Sequence, residues 1–211
     1  MISPCNNPLA DLVTDGARLG ICVEYGRIPL DYHNASRAVR AMAIQILRRH
    51  QIVVNEIARL PSGAPLWPEG WAGSITHSMG VGAVAIAKKN AVKTVGIDVE
   101  HISRMHDDAW PHVLTKRELL QAQMLSVVKA KEYVVTCFSA KEALFKAISP
   151  LNVDPPGFHE VEVHFPMNQI HFTFPFHDIL VEDFSGLFRI GEGMVACLVL
   201  SRPSAINNQT N

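Results

Sequence analysis

The sequence predicts an α+β fold in two halves, and three observations carry that prediction. Before and after about residue 102, short alternating or apolar runs accompany one or two helical patterns, with no regular βαβ alternation. A polar patch, Ser103–Asp108, changes the character of the chain between them. One long helical pattern, about Val127 to Ser149, dominates the second half and stops at Pro150, which cannot continue a helix. The expected division is 1–102, 103–200 and a polar tail, 201–211. At 211 residues, with 48% hydrophobic and 18% charged side chains, the chain can bury a real core and is not disordered.

Taken in order, Leu19–Tyr25 alternates as a strand, and His33 to about His50 reads as a helix with Asn34 or Ser36 near its start. Arg37 and Arg40 fall on that helix, and Arg48, Arg49 and His50 end it, where cations suit the dipole. Leu60–Gly73, rich in Pro, Gly and Trp, predicts a rigid extended loop. Runs at Ser74–Ser78, Val81–Lys88 and Thr94–Glu100, separated by Met79-Gly80 and Lys89-Asn90, predict an antiparallel meander. A helix around Pro111–Gln123 precedes the long one. Strands are expected at Val161–Phe165, Gln169–Phe174, Ile179–Glu182, Leu187–Ile190 and Met194–Leu200, with no residue-level repeat between the halves.

Net charge is −1, so nothing in composition supplies a field for nucleic acid or an acidic membrane, and any anion site must be a local cluster. Cys5, Cys22, Cys137 and Cys197 are scattered without a CxxC pair and read as reduced and mostly buried. The start, MISPCNNPLADLV, shows no export signal, and no apolar run approaches a membrane span, so a soluble, cytoplasmic protein is expected.

The long helix carries the first chemical clue. On a helical wheel Val134, Cys137, Phe138, Leu144, Phe145 and Ile148 share an apolar face, yet Lys141 lies in its middle. Its stem could simply snorkel along the core, with Glu142 and Lys146 an ordinary i,i+4 surface pair. Asp98 and Glu100 supply a second clue. Two apart on a predicted strand, they share a face with α-carbons roughly 6.5–7 Å apart. Alone they read as a solvated strand face; with a third carboxylate, for which Glu142 is the candidate, they suit a hard divalent cation. Lys141 and Lys146 would then be phosphate ligands. His77, at a strand end beside Thr76, could serve a phosphomonoester pocket or be structural. The other histidines lack zinc spacing, and Gly80-Val81-Gly82 and Gly191-Glu192-Gly193 read as turns.

Four segments together resemble the 4′-phosphopantetheinyl transferase superfamily: Gly63-x-Pro65-x-Trp67-Pro68, Gly73-Ser74-Ile75-Thr76-His77, Gly96-Ile97-Asp98-Val99-Glu100 and Phe138-Ser139-x-Lys141-Glu142-x-x-Phe145-Lys146. Their wording is nearest to its single-chain branch, typified by enterobactin-synthase component D. The resemblance implies two similar α/β halves related by a pseudo-twofold axis, with the active site between them and a monomeric chain. It implies Mg²⁺, or Mn²⁺, on Asp98, Glu100 and Glu142, gripping the pyrophosphate of coenzyme A. Lys146 would contact phosphate and assist catalysis, with Lys141 beside it. Thr76 and His77 would hold the 3′-phosphate, supported by Arg37 and Arg59. Two departures stand out: Phe138 replaces a frequent Trp, and Ala64 stands where relatives often have Lys, leaving Arg59 to supply that contact.

The implied reaction moves the 4′-phosphopantetheine arm of coenzyme A onto a serine of an apo acyl or peptidyl carrier protein. Adenosine 3′,5′-bisphosphate is released, and Glu142 is the candidate general base. A siderophore or other secondary-metabolite pathway is favoured. The carrier is expected to dock between the halves, against the segment after Ile102. The rivals are a metal-dependent nucleotide phosphodiesterase and a silent module that binds carrier or coenzyme A.

Overall fold

The computed structural model describes residues 7–61, 63–151, 153–174 and 184–203, and two antiparallel sheets organise them. In the first, β1 (Ile21–Arg27), β2 (Trp71–Ser78) and β3 (Val81–Lys88) lie in the order β1-β3-β2. The second comprises β4 (Thr94–His101), β5 (Glu162–His164), β6 (Gln169–Thr173), β7 (Phe184–Gly191) and β8 (Met194–Ser201), in the order β4-β8-β7-β6-β5. Helix α2 (Tyr32–Arg49) lies between β1 and β2 in the chain, and α5 (Val127–Ile148) lies between β4 and β7.

Each half therefore runs strand, long helix, hairpin, with β5 and β6 added between helix and hairpin in the second, and its leading strand pairs with the second strand of its hairpin. The turns match as well. Met79 and Gly80 have φ of 43° and 80°, and Glu192 and Gly193 have 50° and 71°. Positive φ at both central residues is the type I′ turn, whose twist suits a two-residue hairpin. The two similar halves are thus a repeat of topology. Residue identities need not repeat, because the layers require only apolar strands and a helix to cover them.

The expected meander is corrected at its third strand. β2 and β3 form the hairpin, but β4 pairs along its whole length with β8, from Thr94↔Ser201 to His101↔Met194. Every residue of β8 is buried, so it needs a partner strand on both sides, and β4 and β7 supply them. The break between the sheets falls at residues 89–93. The Gly96–Glu100 strand belongs with the C-terminal half, one strand earlier than the boundary at 102.

Helix α1 (Pro8–Arg18) has no counterpart in the sequence reading. The Asn7 side chain caps it, accepting from the Leu9 amide at 3.0 Å. Leu9 and Leu12 are buried with residues of both sheets, and Asp15 pairs with Arg189 on β7. Asp31, rather than Asn34 or Ser36, caps α2. The helix expected at 111–123 is divided into α3 (Trp110–Val113) and α4 (Lys116–Gln123), because Thr115 starts a new helix with a capping box to Glu118. The strand expected at Ile179–Glu182 lies outside the described residues. Cys22, Cys137 and Cys197 are free thiols. Among the described residues, no helix is long and apolar enough to cross a membrane.

Helix α5 is buried on two sides. Ala140, Ala143, Leu144 and Ala147 pack on the second sheet with Val195, Cys197 and Val199. The approach is close enough that a methyl at Gly96 would run into the Ala143 carbonyl oxygen. Val134 and Cys137 instead meet Val113, Leu114 and Ala122 of the α3–α4 segment. The face that carries Lys141 is this second one, not the face against β4.

Candidate active site at the seam between the sheets

β2 and β4 are edge strands of different sheets, and hydroxyls join them. Ser74, Thr76 and Ser78, alternating along β2, point to one side. Ser74 Oγ accepts from the Ile97 amide at 3.1 Å. Thr76 Oγ1 donates to Asp98 Oδ1 at 3.1 Å, and Ser78 Oγ donates to Glu100 Oε2 at 3.2 Å. The seam thereby fixes both carboxylates of β4. Lys146, from the last turn of α5, reaches across and donates to Asp98 Oδ1 at 2.6 Å and to the Ile97 carbonyl at 3.3 Å.

Above the seam lies a cleft of about 640 Å³. Asp98, Glu100, Glu142 and Lys146 line it from the C-terminal half, and Arg40, Arg59, Thr76 and His77 from the N-terminal half. Aromatic side chains complete the walls: Trp67, Phe138 and Phe145 all line it. Gly73 lets the Trp67 indole lie against β2, since a methyl there would overlap the ring. A neighbouring hollow of about 840 Å³ beyond Trp67 is larger and includes Lys89 and Lys93, but none of the three carboxylates lines it.

The electrostatics of the cleft are those of a site built for ions. Burial pushes the Glu100 carboxyl up to about 7, and the Asp98 charge adds to the effect. Burial also raises Glu142, with Lys146 opposing and Asp98 reinforcing the shift. On the opposite wall burial lowers the Arg40 guanidinium, and Arg59 nearby adds like-charge repulsion. His77 is lowered by burial and by Lys146, so its ring is held toward the neutral form. An edge-on contact with Tyr32, ring centres 5.2 Å apart, orients it.

A divalent cation fits this chemistry. Asp98 Oδ2 is buried without a hydrogen-bond partner among the described residues, and hard oxygen donors facing one another need a cation between them. The side chains do not, however, stand as a closed ligand set. Among the described residues no three histidine, cysteine or carboxylate groups are grouped to hold an ion, and the Lys146 ammonium occupies one Asp98 oxygen.

Three sequence expectations change. Lys141 does not line the cleft. It is 0% exposed, and its ammonium donates to Glu118 Oε2 at 2.7 Å, the Phe158 carbonyl at 2.8 Å and the Val113 carbonyl at 2.9 Å. The reason is rotational, since one residue along a helix turns the side chain by about 100°, placing Glu142 in the cleft and Lys141 toward α4. Arg37 is exposed and does not line the cleft; Arg40, one turn on, does. The Thr76–His77 pair is divided, because the Thr76 hydroxyl is engaged by Asp98 while His77 faces Tyr32. Arg59 sits opposite Pro65 in an isolated β-bridge, next to the Gly63–Ala64 turn. Sequence reasoning missed Glu118 and Ser78; Thr115-x-x-Glu118 is a legible capping box, but nothing in it announces a buried ion pair.

Comparison with known proteins agrees with this division of the chain. Residues 94–184 match the 4′-phosphopantetheinyl transferase superfamily, and residues 33–87 match the 4′-phosphopantetheinyl transferase N-terminal domain. The chain is 30% identical over 161 residues to the 4′-phosphopantetheinyl transferase Npt of Nocardia iowensis, covering 64% of this chain and 67% of that protein. It is 30% identical over 134 residues to the 4′-phosphopantetheinyl transferase PptT of Mycobacterium tuberculosis, covering 59% and 55%. With enterobactin synthase component D of Salmonella typhimurium it shares 35% over 103 residues, covering 47% and 41%. The matched segments thus span from about two fifths to two thirds of these relatives' lengths.

Proposed function

The chain belongs to the 4′-phosphopantetheinyl transferase superfamily, and from that premise we propose that it transfers the 4′-phosphopantetheine arm of coenzyme A to a serine hydroxyl of an apo carrier protein. The observation that carries the reading is the convergence of Asp98, Glu100, Glu142 and Lys146 with Arg40, Arg59 and His77 on one cleft. Carboxylates at one wall and cations at the other suit a pyrophosphate that bridges a metal to basic side chains.

In the reaction the serine oxygen bonds to the phosphorus that carries pantetheine. The bond to the bridging pyrophosphate oxygen breaks, and adenosine 3′,5′-bisphosphate leaves with that oxygen. Mg²⁺ or Mn²⁺ held by Asp98, Glu100 and Glu142 would offset charge growing on the leaving phosphate. Lys146 adds a positive donor beside the same oxygens and holds the donor substrate in line. Arg40, Arg59 and His77 grip the nucleotide phosphates at the opposite wall. Glu142, facing the cleft, is the group assigned to take the serine proton. We assign the activity to a cytoplasmic monomer serving a siderophore or other secondary-metabolite assembly line.

The test is to incubate the protein with apo carrier, coenzyme A and Mg²⁺ and weigh the carrier by mass spectrometry. A phosphopantetheine adduct is expected. Hydrolysis of coenzyme A without a carrier adduct would instead make it a phosphodiesterase, and binding without turnover a silent module. Asp98→Ala and Glu142→Ala should each abolish transfer while the circular dichroism spectrum is kept.

A further inference from the structure

We propose that Lys146 is the resident counter-ion of Asp98 and keeps a divalent cation off the carboxylates until the pyrophosphate of coenzyme A draws it away. The inference deepens the transfer function proposed above and rests on it for the identity of that anion. Donor and cation thereby bind as a coupled pair, with one lysine carrying part of the coupling.

The Asp98 carboxylate is already engaged by the protein. Oδ1 accepts from the Thr76 hydroxyl at 3.1 Å and from the Lys146 ammonium at 2.6 Å. A carboxylate oxygen has two lone-pair sites, so Oδ1 has none left for a cation. Oδ2 has no hydrogen-bond partner among the described residues, but it is buried from solvent, which leaves Oδ1 as the oxygen an arriving cation meets. At Oδ1 that cation also meets Lys146. Two positive charges on one oxygen repel strongly, so the ammonium and a divalent ion exclude each other there.

The two donors hold Asp98 unequally. Thr76 is buried on β2, and withdrawing its hydroxyl would open the seam between the sheets. Lys146 is free to move. Its side chain is 30% exposed against 4% for Asp98, it lines the cleft, and a lysine carries its charge on a flexible four-carbon stem. Its second bond, to the Ile97 carbonyl, is long at 3.3 Å. Phosphate oxygens entering the same cleft offer the ammonium a charge-assisted partner and the cation further hard ligands. What the lysine gives up at Asp98 it regains at phosphate, and Oδ1 is released to the cation. Contact between cation and pyrophosphate couples their binding directly. Displacement of Lys146 adds to that coupling, and by linkage the cation strengthens coenzyme A binding by the same factor. Arg40, on the opposite wall, donates to the Ile57 carbonyl at 2.6 Å and has no such part in it.

The experiment measures Mn²⁺ binding to the full chain by electron paramagnetic resonance, with and without saturating coenzyme A and with no carrier present. Without coenzyme A, Lys146→Met should bind Mn²⁺ at least about fivefold more tightly than wild type, and Arg40→Met within about twofold of it. Lys146→Gln, which keeps a neutral donor for Asp98, should fall between wild type and Lys146→Met. With coenzyme A bound, the advantage of Lys146→Met should shrink to within about twofold. Mg²⁺ should also raise the melting temperature of Lys146→Met more than that of wild type, where Asp98 already has a cation. Equal or weaker Mn²⁺ affinity in both Lys146 variants without coenzyme A would overturn the proposal. So would the same tightening with and without coenzyme A, which marks a charge acting at a distance and not a displaced ammonium. If the affinities follow the expected pattern but no carrier is modified, the lysine switch stands and the transfer reading falls. If coenzyme A leaves the Mn²⁺ affinity of wild type unchanged, the switch falls, and the mass of the carrier decides the transfer reading by itself.

Discussion

Replacing Lys141 with Met separates the two roles this lysine could have. The ammonium is fully buried, and its three donors are all used, by one carboxylate and two carbonyls. Glu118 is equally committed: Oε2 also accepts from the Thr115 amide and Oε1 from the Val163 amide, both at 2.8 Å. The pair therefore ties α5 to α3, α4, β5 and the turn at Phe158. Lys141→Met keeps the stem but leaves the Glu118 charge buried beside two orphaned carbonyls. Removing one partner of a buried pair typically costs about 3–5 kcal/mol. The two amides still bonded to Glu118 favour the lower half of that range. For a chain of this length about 3–4 kcal/mol is a fall in Tm of roughly 7–12 °C. Adding Glu118→Gln removes the stranded charge and should recover at least about 1 kcal/mol, a coupling that urea titration of both single variants and the double variant would measure. Meanwhile calorimetry on the folded Lys141→Met protein should give coenzyme A affinity within about twofold of wild type. A loss below about 1 kcal/mol with affinity weakened tenfold or more would refute the structural role and return Lys141 to the phosphates.

Other expectations follow from the cleft and the seam. In the metal-free protein the Glu100 carboxyl is raised to about 7, so the folded state holds its proton more tightly than the unfolded chain does. The stability this contributes is full below the ordinary carboxylate pKa and is lost as pH rises through about 7. Partial solvent access limits the loss between pH 5 and 8 to about 2 kcal/mol. Urea midpoints across that range should fall more in wild type than in Glu100→Gln, and parallel curves would contradict the assignment. Gly96→Ala forces the new methyl onto the Ala143 carbonyl oxygen, and the backbone cannot yield as a flexible side chain would. A destabilisation of about 3 kcal/mol or more is expected by urea titration, and a wild-type midpoint would show that α5 does not lie on β4 as closely as described. Arg40→Ala should weaken coenzyme A binding at least about tenfold by loss of a charge-assisted contact, whereas Arg37→Ala should stay within about twofold. The reverse order in calorimetry would restore Arg37 to the site.

What was legible in the sequence, and what was not, divides along physical lines. The extent of α5 was readable because its apolar period and Pro150 are local signals; the structure ends it at Ile148. Asp98, Glu100, Glu142, Lys146, Arg59, Thr76 and His77 were named from motifs, and all of them line one cleft. The pairing of β4 was not readable, because β3 and β8 are both apolar strands and the choice between them is made by the whole sheet. α1 is not legible in the sequence because its fully buried leucines, Leu9 and Leu12, are few and its stability comes from tertiary burial.

Lys141 is the most instructive miss. A helical wheel tells which side chains share a face, but not what stands opposite that face. The charge of a lysine placed on an apolar face has to be met by solvent, a ligand anion or a buried carboxylate, with backbone carbonyls such as those of Val113 and Phe158 completing its hydrogen bonds. Snorkelling to solvent is excluded here by complete burial. The ligand is excluded by direction, because Glu142, the next residue, is the one that turns into the cleft. That leaves a carboxylate, and it has to come from an element packed on the Val134–Cys137 face. Glu118 meets that requirement because a capping box draws the N3 side chain back toward the start of its own helix, and at Thr115 that start is buried against α5. The same carboxylate that caps α4 therefore neutralises the lysine, and this rotational anchoring of α5 keeps Glu142 and Lys146 aimed at β4.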